Sequence, residues 1–212
     1  MCMKNKLFRI VITGAPGAGK TTTVDVLRQE LSHLVVCAPE VATPLMTHLG
    51  IKPEVIGRDF VIQPKFQEEM YKIQKSLEDI SEKFAIYSGK KAILFDKSRI
   101  EMAAHILYDK ISVAEGKNIY KKVFGFSVED VYKDYDLVLF LELPKEEIYH
   151  KIISNNPARA GLQYEESKML GDRVKEIWKN HPNFKVISSY EDWNEKLKKI
   201  RNNLLYFFIA NC

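Results

Sequence analysis

Near the start of the chain, the run GAPGAGKT spans Gly14 to Thr21 and sets two glycines, a lysine and a hydroxyl at fixed spacing. It matches G-x-x-x-x-G-K-[ST], with Gly14, Gly19, Lys20 and Thr21 in the required places. A glycine-rich backbone can curl until successive N–H groups converge, which makes a nest for phosphate oxygens. A helix opening at Lys20 would add its own first-turn N–H groups and a partial positive charge. Gly14, Ala15, Pro16, Gly17, Ala18, Gly19, Lys20, Thr21 and Thr22 are therefore expected to hold a triphosphate. Lys20 would reach the β- and γ-phosphates, and the Thr21 hydroxyl would ligate Mg²⁺. The alternative is a glycine turn with no ligand. The apolar run RIVIT just before it and the helical pattern TTTVDVLRQEL just after it supply the strand–loop–helix setting that the cradle needs. ATP is the expected nucleotide, with GTP not excluded.

Such a loop must be carried by a sheet. Short apolar runs, LFRIVIT, HLVVCA, KAILFD, DLVLFLEL and FKVIS, alternate with longer helical patterns. Strands apolar on both faces and separated by helices predict a doubly wound α/β domain with a mainly five-stranded parallel sheet. No repeat, linker or low-complexity tract interrupts the chain, so residues 1–212 are read as one domain. A long helix is predicted from about Gln63 to Tyr87, where Phe66, Met70, Ile73, Leu77, Ile80, Phe84 and Tyr87 form one stripe. That stripe is expected to pack on the sheet, the alternative being a dimer seam; the oligomeric state is left open. A final helix aligns Trp193, Leu197, Ile200, Leu204 and Phe208, and its Lys196, Lys198, Lys199 and Arg201 are expected on a solvated basic face. Contact of this helix with a membrane surface is the alternative.

Other residues suggest which phosphate chemistry the loop serves. A remodelling ATPase is expected to end an apolar strand in Asp-Glu, whereas KAILFDKS places Lys97 after Asp96. No Asn-Lys-x-Asp guanine reader is present. DKS resembles instead the Asp-Arg-Ser/Gly/Tyr element of nucleoside and nucleotide kinases. The longer DKSRIEMAAHILY resembles the signature of a family of small P-loop kinase/ATPase (AAA-type) domains that includes ribosylnicotinamide kinase domains. VVCAPEVAT resembles that family's acidic element after the second strand, with Thr43 in place of the usual arginine. NNPARAGLQYEESKML resembles its lid followed by a long helix. The resemblance implies that Asp96 faces the acceptor hydroxyl or a Mg²⁺-bound water, with Thr21 and Asp96 as the metal-binding pair. It further implies that Glu40, Lys97, Arg99 and Glu101 border the acceptor, and that Arg159, on a lid around 154–163, stabilises the group in transfer. Lys97 stands for an arginine and His105 for a tyrosine. Gln63, Phe66 and Gln67 could line the acceptor pocket.

The totals set outer bounds. At 212 residues the chain is long enough for a sizeable core. A net charge of +4 suits an anionic small molecule and falls short of a nucleic-acid binder, so nucleic acid is not an expected partner. Cys2, Cys37 and Cys212 offer neither a disulfide framework nor a CxxC metal site. No run approaches the ~20 apolar residues of a membrane span, and a cytoplasmic location is expected. The function predicted is ATP-dependent phosphoryl transfer to a nucleoside, ribosylnicotinamide-like or nucleotide acceptor. The alternative is a nucleotide-binding regulatory module acting through a protein or membrane-surface partner.

Overall fold

The computed structural model describes residues 6–51, 56, 59–154, 163–189 and 192–211. Each apolar run becomes a strand: β1 (Phe8–Gly14), β2 (Val35–Ala38), β3 (Ala92–Asp96), β4 (Leu137–Leu141) and β5 (Phe184–Ile187). They pair in parallel as one five-stranded sheet, in the order β2-β3-β1-β4-β5. Among the described residues the helices are α1 (Lys20–Glu30), α2 (Ala42–Leu49), α3 (Ile62–Tyr87), α4 (Met102–His105), α5 (Val113–Phe124), α6 (Glu146–Ser154), α7 (Tyr164–Trp178) and α8 (Trp193–Asn211). The expected doubly wound α/β architecture is the one observed.

Successive strand side chains point to opposite faces, and both faces are covered. Val11, Ile93, Phe95, Val138 and Phe140 enter one core with Met70 of α3, Tyr120 of α5 and Trp178 of α7. Ile10, Ile12, Leu94, Leu137 and Leu139 enter the other with Val24 and Leu27 of α1 and Ile200 and Leu204 of α8. This two-sided burial is why the runs read as continuous apolar stretches.

The register brings the functional strand ends together. Ile12 lies opposite Asp96 and Gly14 opposite Leu141. From β1 the chain passes through α1 to β2 on the far side of β3, and later adds β4 on the other side of β1. The strand order therefore reverses at β1, and ligands of such sheets bind at the carboxyl edge beside this switch point.

Two helices differ from expectation in the face they present. The long helix forms as predicted, but it buries Gln63, Gln74, Glu78 and Ser81 along with Met70 and Tyr71. The later half of the predicted stripe stays in solvent, with Phe84 62% and Tyr87 80% exposed. The reason is electrostatic. Arg9 and Arg99 lie largely inside and need a counter-charge, which Glu78 supplies. Arg9 Nη2 donates to Glu78 Oε2 at 2.9 Å, Arg99 Nη1 donates to the same carboxylate, and the Tyr135 hydroxyl donates to Glu78 Oε1 at 2.8 Å. In α8 the predicted apolar stripe does dock, through Leu197, Ile200 and Leu204, on the sheet rather than facing outward. Lys198, Lys199 and Arg201 are exposed as expected, whereas Lys196 is only 4% exposed. Among the described residues no helix is long and apolar enough to cross a membrane.

Candidate functional site

The loop after β1 is shaped by its neighbours. A Cβ on Gly14 would collide with the Leu141 carbonyl oxygen of the adjacent strand, so glycine is required there. Gly19, at φ +90°, is the N-cap residue of α1 and takes a left-handed turn that side chains disfavour. Between them, Ala18 N–H donates to Ala15 O at 3.1 Å and closes the turn, with Pro16 half-buried at its outer edge. The Tyr149 ring of α6 packs on Gly17, and Gly171 of α7 packs on Ala15. Lys20 is buried, and its ammonium donates to Gly14 O at 3.0 Å and Ala15 O at 2.8 Å, holding its charge over the loop. Thr21 and Thr22 are exposed in the first turn of α1.

Asp96 ends β3 and is 2% exposed. Thr21 Oγ1 donates to its Oδ2 at 2.6 Å, while Oδ1 is buried with no hydrogen-bond partner among the described residues. Burial pushes the Asp96 carboxyl up, against the pull of the Lys20 ammonium and the Thr21 hydroxyl. A hydroxyl and a carboxylate side by side, with one buried carboxylate oxygen unanswered, form an all-oxygen donor set that fits Mg²⁺. No cluster of three or more His, Cys, Asp or Glu suited to a metal occurs among the described residues. An ion here would thus rely on this pair together with phosphate and water oxygens.

Beyond Asp96 lies a second group of charges. Lys97 adopts φ +70°, a left-handed conformation that costs a side-chain-bearing residue about 1–2 kcal/mol, and its N–H donates to Ile12 O at 3.1 Å. Its ammonium stands 3.6 Å from Glu40 Oε1. The same oxygen accepts from Thr43 N–H at 2.9 Å and from Thr43 Oγ1 at 3.1 Å. Burial works against ionisation of Glu40, but the Lys97 ammonium and both Thr43 donors outweigh it and hold the carboxyl at about 2. Thr43, which departs from the family's arginine, thus orients Glu40. His105 is pushed down to about 3, first by burial and then by the Lys97 and Lys20 charges, so it is neutral near pH 7.

Other expected site residues are placed differently. Arg99 turns away from the loop into the core and binds Glu78 and Asp134, so the expectation that it borders the substrate gives way to a structural ion network. Glu101 is fully enclosed, accepting from Ser98 N–H at 3.3 Å, and burial pushes its carboxyl up against the pull of Lys97, so it is closed off rather than open to a solvent-borne acceptor. Gln63 is buried and uses both ends of its amide on α4 and the turn after it, donating to His105 O at 2.6 Å and accepting from Leu107 N–H at 2.9 Å. Its amide is committed to that backbone rather than offered to an acceptor. Phe66 packs partly against the core and Gln67 is half-buried. Arg159 and residues 155–162 of the expected lid lie outside the described residues, although α6 and α7, which flank that segment, both rest on the phosphate loop.

Sequence reasoning missed one part of the site. Trp193, at the start of α8, lies against Gly19, and Lys196 one turn later donates to Ala18 O at 2.9 Å and to Glu142 O at 2.7 Å. Only a Trp-x-x-Lys spacing at a helix start marks this in the sequence, and that spacing has no motif of its own.

Fold and cradle together define a P-loop protein with the architecture of the nucleotide kinases. The AAA domain family model matches residues 9–196, and the chain belongs to that family. It is similar to a curated relative from Plasmodium falciparum, the adenylate kinase isoenzyme 6 homolog, with 24% identity over 203 residues covering 95% of this chain and 94% of the relative. Its fold is similar to that of deoxyadenosine kinase from M. mycoides, solved with dCMP and dCDP (TM-score 0.61, 17% identity, 94% of this chain and 100% of the other). The dATP-bound form of that enzyme matches with a TM-score of 0.58 and 18% identity over 93% and 98% of the two chains.

Proposed function

We propose that this chain is an ATP- and Mg²⁺-dependent kinase that transfers the γ-phosphoryl group to a hydroxyl of a nucleoside, ribosylnicotinamide-like or nucleotide acceptor. The observation that carries this reading is the 2.6 Å bond from Thr21 Oγ1 to Asp96 Oδ2, which sets a hydroxyl and a carboxylate suited to Mg²⁺ side by side at the mouth of the phosphate loop, with Glu40 and Lys97 beyond them. The names of the relatives, an adenylate kinase homolog and a deoxyadenosine kinase, support phosphoryl transfer between nucleotide-like partners.

Phosphoryl transfer passes through a loose transition state, so positioning and fixed positive charge carry most of the acceleration. In this reading Lys20 and the loop N–H groups from Ala15 to Lys20 bind the triphosphate. Thr21 and Asp96 would hold Mg²⁺, which when bound would neutralise charge on the phosphates. Glu40, ionised and pinned by Thr43, accepts the hydrogen bond of the acceptor hydroxyl and aims its oxygen at the γ-phosphorus. The new P–O bond forms as the bond to the β,γ-bridging oxygen breaks; ADP leaves, and the hydroxyl proton passes through Glu40 to water. A carboxyl held near 2 is a weak base, so orientation is its main contribution. An ionised carboxylate also favours a hydroxyl over a second phosphate at that point. Arg159, read from the sequence alone, would stabilise the transferring group as its lid shuts out water.

The test is incubation with Mg-ATP and a panel of nucleosides, ribosylnicotinamide and nucleoside monophosphates. ADP release that depends on one acceptor, with its phosphorylated product seen by mass spectrometry, is expected. Slow acceptor-independent hydrolysis, accompanied by binding to liposomes or a protein partner, would overturn the kinase reading in favour of a regulatory module.

A further inference from the structure

We propose that Lys196 is a positioning residue of the triphosphate site, holding the Ala18–Gly19 peptide so that its N–H faces the phosphates. The inference rests on the nucleotide reading above and adds to it a residue from the far end of the chain.

An anion cradle has a geometric corollary. Its N–H groups point inward, so its carbonyls point outward, where they must be answered if they are buried. The carbonyl of Ala18 and the amide of Gly19 belong to one planar trans unit, and their dipoles point in opposite directions. Whatever fixes the Ala18 oxygen therefore aims the Gly19 N–H.

Lys196 supplies that fixing. Its ammonium donates to Ala18 O at 2.9 Å and to Glu142 O, just past β4, at 2.7 Å. Glu142 N–H in turn donates to Ile187 O of β5 at 3.0 Å, so the anchor is tied to the sheet. Trp193, one turn earlier, closes on the next residue of the loop: a Cβ on Gly19 would lie 2.7 Å from Trp193 Cζ3. The last helix thus grips the outer side of the loop at two consecutive residues.

Burying an ammonium is costly and would not be expected of a residue that only packs. Burial lowers Lys196 to about 8 against the opposing charge of Glu142, whose carboxylate also meets Lys175 of α7 at 3.1 Å. A leucine or methionine would fill the same space without that penalty. The two carbonyls account for the lysine.

The experiment compares wild type, Lys196→Met and Lys196→Arg by calorimetry with Mg-ATP, by steady-state kinetics with the acceptor found above, and by thermal unfolding. Lys196→Met should weaken Mg-ATP binding at least ~10-fold, the scale of a lost charged hydrogen bond, while the acceptor KM stays within about twofold. Lys196→Arg should recover affinity to within about threefold. A folded Lys196→Met with Mg-ATP affinity within twofold of wild type would overturn the proposal. So would equal losses for ATP and acceptor alongside a large fall in Tm, which is the mark of a merely structural role. Should Lys196→Met not accumulate as folded protein, Lys196→Gln, with a shorter donor, is read the same way: at least ~5-fold weaker Mg-ATP binding supports the proposal, and less than twofold overturns it. Failure of wild type itself to bind Mg-ATP would overturn the nucleotide reading and this inference with it, whereas normal wild-type binding isolates the fault to Lys196.

Discussion

Thr21 and Asp96 stand 75 positions apart in the chain, yet they share a 2.6 Å hydrogen bond. On the proposed reading each has a separate task from Lys20, and substitution should separate them. Lys20→Ala removes the ammonium that stands over the loop and should abolish detectable Mg-ATP binding by calorimetry. Asp96→Asn keeps the shape and should leave ATP affinity near normal while turnover falls at least ~10²-fold, as loss of one well-placed charge partner does. Wild-type turnover in Asp96→Asn would refute its assignment. Glu40 carries a pH signature. Its folded pKa of about 2 lies below its ordinary 4.5, so its ionised form stabilises the fold. That contribution, about 3 kcal/mol by linkage, is fully present above about pH 4.5 and is lost as pH falls towards 2. Glu40→Gln lacks that contribution at every pH, so wild type should be the more stable above about pH 4.5 and its acid unfolding should begin at lower pH than that of Glu40→Gln. Coincident acid transitions would show that Glu40 is not held down.

At the scale of elements, the parts most legible in the sequence were those that local rules specify. Strand β1, the loop and α1 follow from apolar runs, glycines and helical periodicity, and the two buried faces of the sheet show as unbroken apolar stretches. The extent of α3 was legible for the same reason, but its orientation was not. Periodicity identifies the apolar stripe, whereas the helix turns Glu78 inward because Arg9 and Arg99, far away in sequence, converge on it. Arg99 misled in the same way: it lies two residues from Lys97 in the chain, but the 3-10 turn Arg99–Glu101 sends its guanidinium to Glu78, Asp134 and Tyr135. Long-range charge pairing leaves no periodic trace. Its energetic weight can be measured. Glu78→Gln leaves two buried guanidiniums under-compensated and should cost about 3 kcal/mol. For a chain of this size that means a Tm lower by roughly 6–12 °C. A Tm within 2 °C of wild type would mean that Asp134 and Glu82 suffice and that the network is not what orients α3.

For the molecule as a whole, the site is a product of the strand order. β1, β3 and β4 end side by side at the carboxyl edge, so the loop after β1, Asp96 and the Glu142 carbonyl come from separate stretches of chain and meet there. Helices α6, α7 and α8 then close on the loop through Tyr149, Gly171 and Trp193. A ligand in that loop touches elements from both halves of the chain, so binding should stabilise global folding rather than one segment. Mass action gives the size: at a hundredfold excess over Kd the gain is about 2.7 kcal/mol. A Tm rise of roughly 5–10 °C with Mg-ATP follows for a domain of this length. The rise should shrink when EDTA removes Mg²⁺, because the phosphates then enter the loop with their charge uncompensated, and it should vanish in Lys20→Ala. An equal rise in Lys20→Ala would place the nucleotide elsewhere on the molecule, since no binding mode that uses this loop dispenses with the ammonium that Gly14 and Ala15 hold above it.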